Sequence, residues 1–84
     1  MKEIVEYKIY NPVLDKFSAG GTHLDYMWTK KGKTWKGTGP LRNHLKICGH
    51  KILDLYRQDS CYVVKIVTKV VVEKHVWVDI NDFI

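Results

Sequence analysis

Residues 61–80 read CYVVKIVTKVVVEKHVWVDI. Val, Ile, Thr, Tyr and Trp dominate this run, and these side chains suit a pleated, half-buried surface. Tyr62, Val64, Ile66, Val70 and Val72 fall on one side of a period-2 pattern, with Thr68 among them. Val63, Val67 and Val71 fall on the other side with Lys65, Lys69 and Glu73. The last third of the chain therefore reads as β. Glu73-Lys74-His75 is expected to turn it into a final strand, Val76 to Ile80. No Gly or Pro marks that turn, so one long bent strand is the alternative. Phe83-Ile84 is expected to tuck against the body.

Upstream, the period changes. Leu41, Leu45 and Cys48 recur at i, i+4 and i+7, an apolar helical stripe with His44 beside it. Arg42, Asn43 and Lys46 fall on the opposite side. Gly39-Pro40 puts proline at a plausible first helical position, with Thr38 or Gly39 as the cap. Gly49 is the expected C-terminal stop. Ile52 and Leu55 could extend the stripe, so a longer helix to about residue 56 is the alternative.

Further upstream, residues 25–37, DYMWTKKGKTWKG, read as a short hairpin. Two aromatic arms flank Lys30-Lys31-Gly32-Lys33, and Trp28 and Trp35 could meet across them. Residues 13–24 are weakly patterned, and Gly20-Gly21 marks a sharp turn or a backbone that passes close to something. Residues 2–10, KEIVEYKIY, read as a strand with Val5, Tyr7 and Ile9 on one face, ended by Asn11-Pro12. The order strand, hairpin, helix, strand, strand predicts one α+β domain over residues 1–84. Its architecture is a small antiparallel sheet of about four to five strands packed with one helix.

Composition agrees with that size. The 84 residues are 45% hydrophobic and 27% charged, the make-up of an ordinary globule rather than a disordered tail. No apolar run reaches the roughly 18 residues of a membrane span. The first ten residues lack the apolar block of a signal peptide, so a cytoplasmic location with reduced thiols is expected. Cys48 and Cys61 are too few for a secreted disulfide framework, although a single 48–61 bridge stays open.

Charge is unevenly spread. Between Trp28 and Arg57 stand eight bases and one acid, Asp54, a net charge of +7 in a chain of net +5. A basic segment in a nearly neutral frame points to an anionic partner: nucleic acid, a nucleotide or an acidic protein surface. A solvated lysine-rich loop that only keeps the chain soluble is the competing explanation.

Three features coincide in residues 30–46, KKGKTWKGTGPLRNHLK. Lys30, Lys31, Lys33 and Lys36 supply positive charge. Trp35, or Trp28, would offer a ring on which a base stacks. Gly37-Thr38-Gly39 leads into a helix start, whose free N–H groups and dipole favour a phosphate. Arg42 and Asn43, in the first turn, would extend the site. Against this, tryptophans in a small domain usually serve the core, and glycines before a helix are ordinary turn residues.

Catalytic patterns are missing. Gly32-Lys33-Thr34 imitates the end of a phosphate-binding P-loop, but Met27 stands where that motif needs glycine. No nucleophile elbow or His-Glu-x-x-His occurs. His44, Cys48, His50, Cys61 and His75 carry metal-ligating atoms without the usual paired spacing, and read better as core and surface residues. The expectation is a non-enzyme without a cofactor or metal.

FSAGG (17–21) followed by GKTWKGTGPLRNHL (32–45) resembles a pattern in small uncharacterised proteins of tailed bacteriophages. In them a GK-x-W element precedes a G-x-L-(K/R)-N-H-L helix and a Val/Glu-rich β tail. Gly32, Lys33, Trp35, Gly39, Leu41, Arg42, Asn43, His44 and Leu45 match, and Pro40 fills the variable position. The resemblance implies a phage-type accessory role in the host cytoplasm: nucleic-acid handling, inhibition of a host or defence enzyme, or sequestration of a signalling nucleotide. It also implies that Asn43 and His44 tie the hairpin to the helix by hydrogen bonds. A protein-binding inhibitor is the alternative function, with a homodimer through residues 61–80 as one form of it.

Overall fold

The period-2 segments pair into one antiparallel sheet in the computed structural model, which describes residues 3–20, 27–69 and 72–83. Its strands are β1 (Glu3–Asn11), β2 (Lys16–Ser18), β3 (Trp28–Thr29), β4 (Tyr62–Lys69) and β5 (Val72–Asp79). They lie in the order β3-β2-β1-β4-β5. Three helices complete the α+β fold: α1 (Thr38–Ile47), α2 (His50–Gln58) and the short α3 (Ile80–Phe83).

The helical stripe does run past Gly49, but not as one rod. Gly49 takes φ +88°, a left-handed conformation that α-helix cannot carry, and the chain restarts there as α2. One continuous apolar surface results, from Leu41, Leu45 and Cys48 to Ile52 and Tyr56. It packs on the sheet face that holds Ile9 and Val63, with Trp35, Met27, Cys61 and Ile80 in the same core. Burying each such large side chain contributes about 1.5–3 kcal/mol.

Three expectations need correction. First, the helix cap is Gly37, and Pro40 stands at the third helical position. The first N–H groups of a helix have no partner within it, so proline costs no hydrogen bond there either. Second, β4 and β5 join between Lys69 and Val72, and Glu73, Lys74 and His75 lie inside β5 opposite Thr68, Val67 and Ile66. Val70 and Val71 lie outside the described residues, as do Gly21, Asp25, Tyr26 and Ile84.

Third, residues 28–35 do not pair with each other. Trp28 and Thr29 pair with Ser18 and Phe17 of β2. Trp35 bridges Tyr7 of β1 instead, through N–H to O distances of 2.7 and 2.8 Å. Each tryptophan thus finds a strand of its own, and Trp35 reaches the core that a two-stranded hairpin could not offer. β2 itself has three residues, too few to show a period.

Asn11 closes β1 as its residue type suggests. Its carboxamide oxygen accepts from Val13 and Leu14 N–H at 2.9 and 3.1 Å, and its Nδ2 donates to Asp59 at 2.8 Å. The turn after β1 is thereby fastened to the loop after α2.

Candidate nucleic-acid interface

The basic segment starts on the loop after β3. Gly32 has φ +70°, and a side chain there would run into Phe17, its Cβ 2.3 Å from the Phe17 Cβ. Only glycine lets this loop wrap so closely around β2. Lys33 N–H then donates to Ser18 O at 2.8 Å. The wrapping leaves Lys30, Lys31 and Lys33 exposed, and Lys36 is exposed just before α1. Lys8 Nζ reaches across from β1 to donate to Lys31 O at 3.0 Å, so the loop is tied to the sheet.

Lys33 has a second task. Its Nζ sits 5.5 Å from the centre of the Trp35 ring. Its stem fills the space where a Gly20 side chain would go, 2.5 Å from that Cβ position, and Gly20 has φ +74°. The Gly20 half of the Gly20-Gly21 pair is thus explained by close approach.

Trp35 is 4% exposed, so its ring is not open to a base. It packs on His44 with ring centres 5.1 Å apart. His44 Nε2 is hydrogen bonded to Tyr56 OH at 2.9 Å, and Tyr56 OH to Ser18 Oγ at 2.7 Å. Burial, and then the nearby Lys33 charge, lowers the His44 pKa and keeps the imidazole neutral. Burial also raises the Tyr56 phenol, despite the Ser18 bond that opposes it. Ser18 and Tyr56 are fully enclosed and His44 nearly so. The Ser18–Tyr56–His44 chain braces α1 and α2 against β2; its groups satisfy one another rather than facing a substrate.

At the start of α1 the backbone lies in the open. A Cβ on Gly39 would meet nothing within 4 Å, and one on Gly37 only Pro40 Cδ at 3.6 Å. Gly37 has extended backbone, φ −169°. Neither glycine is demanded by packing. Thr38 is exposed and makes no side-chain cap, and the first turn carries no acid. Arg42 turns away to α3: its guanidinium lies 4.6 Å from the Phe83 ring centre and donates to Phe83 O at 3.3 Å. With Leu45, Lys46 and Phe83 it lines a cleft of about 220 Å³. Asn43 is exposed.

The cysteines are free and buried. Burial raises both thiols, with Cys61 pushed up to about 12. Among the described residues no three His, Cys, Asp or Glu side chains gather as a metal site. His75 is instead hydrogen bonded to Glu73 on β5. No described helix is long and apolar enough to cross a membrane.

One feature lay beyond the sequence pattern. On the sheet face away from the core, Tyr10 stands opposite Phe17 and Tyr62, and Val64 stands between Lys8 and Trp77. The ring centres of Tyr10 lie 5.2 Å from Phe17 and 5.3 Å from Trp77, and Tyr62 lies 6.2 Å from Trp77. Four aromatics from four strands thus form one continuous patch, and Trp77 is 48% exposed. Only the strand register assembles it.

Comparisons with protein-family models, curated proteins and solved structures returned no match.

Proposed function

We propose that the chain is a small, basic, non-enzymatic accessory protein that binds an anionic partner, nucleic acid or a nucleotide. One observation carries this reading. All eight bases between Trp28 and Arg57 are exposed, and the two ion pairs among the described residues, Lys69–Glu3 and His75–Glu73, involve none of them. Eight exposed cations on the loop after β3, α1 and α2, with Asp54 the one acid among them in sequence, favour an anionic partner. Lys30, Lys31, Lys33 and Lys36 supply the electrostatics, and the open backbone of Gly37 to Gly39 leaves room for a phosphate to approach. The likeness of residues 32–45 to small tailed-phage proteins supports an accessory role in a host cell.

Lys31→Glu combined with Lys36→Glu tests the reading, because both side chains are exposed and neither supports the core. A folded double variant should lose at least tenfold in affinity for nucleic acid. Unchanged affinity would remove the basic segment from the account.

A protein-binding inhibitor is the second reading, favoured by the position of β5. It is an outer strand of the sheet, with Val76 and Trp77 exposed. Such an edge can pair with a partner's strand or with a second copy. Light scattering separates these: a monomer at high concentration rejects self-pairing.

A further inference from the structure

We propose that β5 is the contact between two copies of this chain, paired antiparallel about a two-fold axis at Trp77. This rests on the second reading above, the open edge, and names its occupant as a second copy. The sheet ends in β3 on one side and β5 on the other. β3 has two residues, too few to template a strand, whereas β5 runs eight residues without a proline or a bulge. Ile80 N–H donates to Cys61 O at 2.9 Å, in register with the pairs of β4 and β5. Bonded and non-bonded positions alternate along an antiparallel pair, so Val78, Val76 and Lys74 bond to β4. Glu73, His75 and Trp77 therefore turn their N–H and C=O groups outward. Among the described residues nothing bonds to that backbone from outside the sheet.

The side chains choose the register. A two-fold axis normal to the sheet keeps each face on its own side, so the centre of pairing fixes every opposed pair. Centred on Lys74, two ammonium groups meet; on His75, Glu73 meets Trp77; on Val76, Glu73 meets Asp79; on Val78, Trp77 meets Asp79. Centred on Trp77, every pair agrees: Trp77 meets Trp77, Val76 meets Val78, and His75 meets Asp79. The two Trp77 residues then form a bonded pair, with Cα atoms about 5.5 Å apart. Val76 and Trp77, 40% and 48% exposed, gain cover on opposite faces of the sheet. The aromatic patch of Phe17, Tyr10, Tyr62 and Trp77 continues across the axis into its copy. Residues 75–79 on each side make less than the roughly 1,200 Å² of a stable complex, so the association is weak and concentration-dependent.

Sedimentation from micromolar to millimolar protein tests this, with thermal melting to check that each variant folds. Wild type should pass from monomer to dimer. Val76→Lys, which sets a charge against Val78 of the second copy, should stay monomeric. The charge at position 75 reads the register, because it meets Asp79 twice in each dimer. His75→Lys should tighten the dimer and His75→Glu should weaken it, each by about 2- to 30-fold for two cross-strand pairs of ordinary strength. A shift in the same direction for both variants would overturn this register, and a dimer unchanged in folded Val76→Lys would place the contact off β5. Amide exchange separates these failures from that of the open edge. In dilute monomer the His75 and Trp77 N–H groups should exchange fast while those of Val76 and Val78 are protected, and Trp77 should gain protection as the dimer forms. Protection of His75 and Trp77 in the monomer would mean a closed edge, and the open-edge reading would fall with the proposal. Fast exchange in a wild type that stays monomeric at millimolar concentration would overturn the second copy alone and leave the edge to another protein's strand.

Discussion

His44 on α1 and Tyr56 on α2 are joined by a hydrogen bond of 2.9 Å from imidazole Nε2 to phenol oxygen. The two helices are separated by the break at Gly49, and this bond locks their relative placement at a point enclosed by Trp35 and Trp28. Two sequence features thereby gain a structural role: the histidine of the Asn-His-Leu element, and the tryptophan that packs on it.

The burial of His44, with the Lys33 charge beside it, makes stability depend on pH. Burial holds the folded-state pKa of His44 below its ordinary value of 6.5. Protonation therefore favours the unfolded chain. Stability from this site is complete above about pH 6.5 and is lost as pH falls below it toward the folded pKa. Melting temperatures from pH 8 to pH 5 should fall more steeply for wild type than for His44→Gln. Parallel curves would contradict a neutral, buried His44.

Tyr56→Phe keeps the ring and removes the hydroxyl that His44 and Ser18 share. Ser18 Oγ keeps the Gly20 N–H at 3.2 Å, but His44 Nε2 loses its partner. The expected cost is about 1–3 kcal/mol, that of one unsatisfied buried polar group. Chemical denaturation measures it, and a change under about 0.5 kcal/mol would mean that the bond is not made in solution.

Two glycines should respond in opposite ways. Gly20→Ala forces a side chain onto Lys33 and Trp35 at a positive φ, and should destabilise the fold. Gly39→Ala lies in the first turn of α1 in open space, and should be neutral or stabilise by up to about 1 kcal/mol through helix propensity. Melting of the two variants side by side checks the path of the loop around β2.

Cys48 and Cys61 should resist thiol reagents. With both thiols buried and Cys61 pushed up to about 12, little thiolate exists at pH 8. Labelling should be slow in native buffer and fast in denaturant. Rapid native labelling of either cysteine would contradict this core.

Much of the fold was legible because its signals are local. Alternation from Val5 to Ile9 and from Tyr62 to Val67 announced β1 and β4, and the Leu41–Leu45–Cys48 stripe announced α1. What escaped depends on distant partners. Trp28 and Trp35 looked like the two arms of a hairpin because they flank a glycine-bearing lysine loop. Their actual partners, Ser18 and Tyr7, are set by a register that no local pattern encodes. A turn at Glu73-Lys74-His75, with one long bent strand as the alternative, is the reading of a run that no Gly or Pro punctuates; these residues instead lie within β5, an outer strand that tolerates polar side chains. For the site, the exposed lysines were readable from composition. The sequence offers Trp35 or Trp28 as a stacking ring, but the core claims Trp35 and half-buries Trp28, whereas the patch around Trp77 exists only after four strands align.

The salt dependence of binding tests the central claim most directly. Wild type should be titrated with a 12-nucleotide oligo-dT between 50 and 200 mM salt. If Lys30, Lys31, Lys33 and Lys36 each displace one counterion, log affinity should fall against log salt with a slope of about −3, roughly a 50-fold loss across that range. The slope should shrink by about half in Lys31→Glu with Lys36→Glu. A salt-independent affinity, or no binding at 50 mM salt, would contradict an anionic partner held by the basic segment.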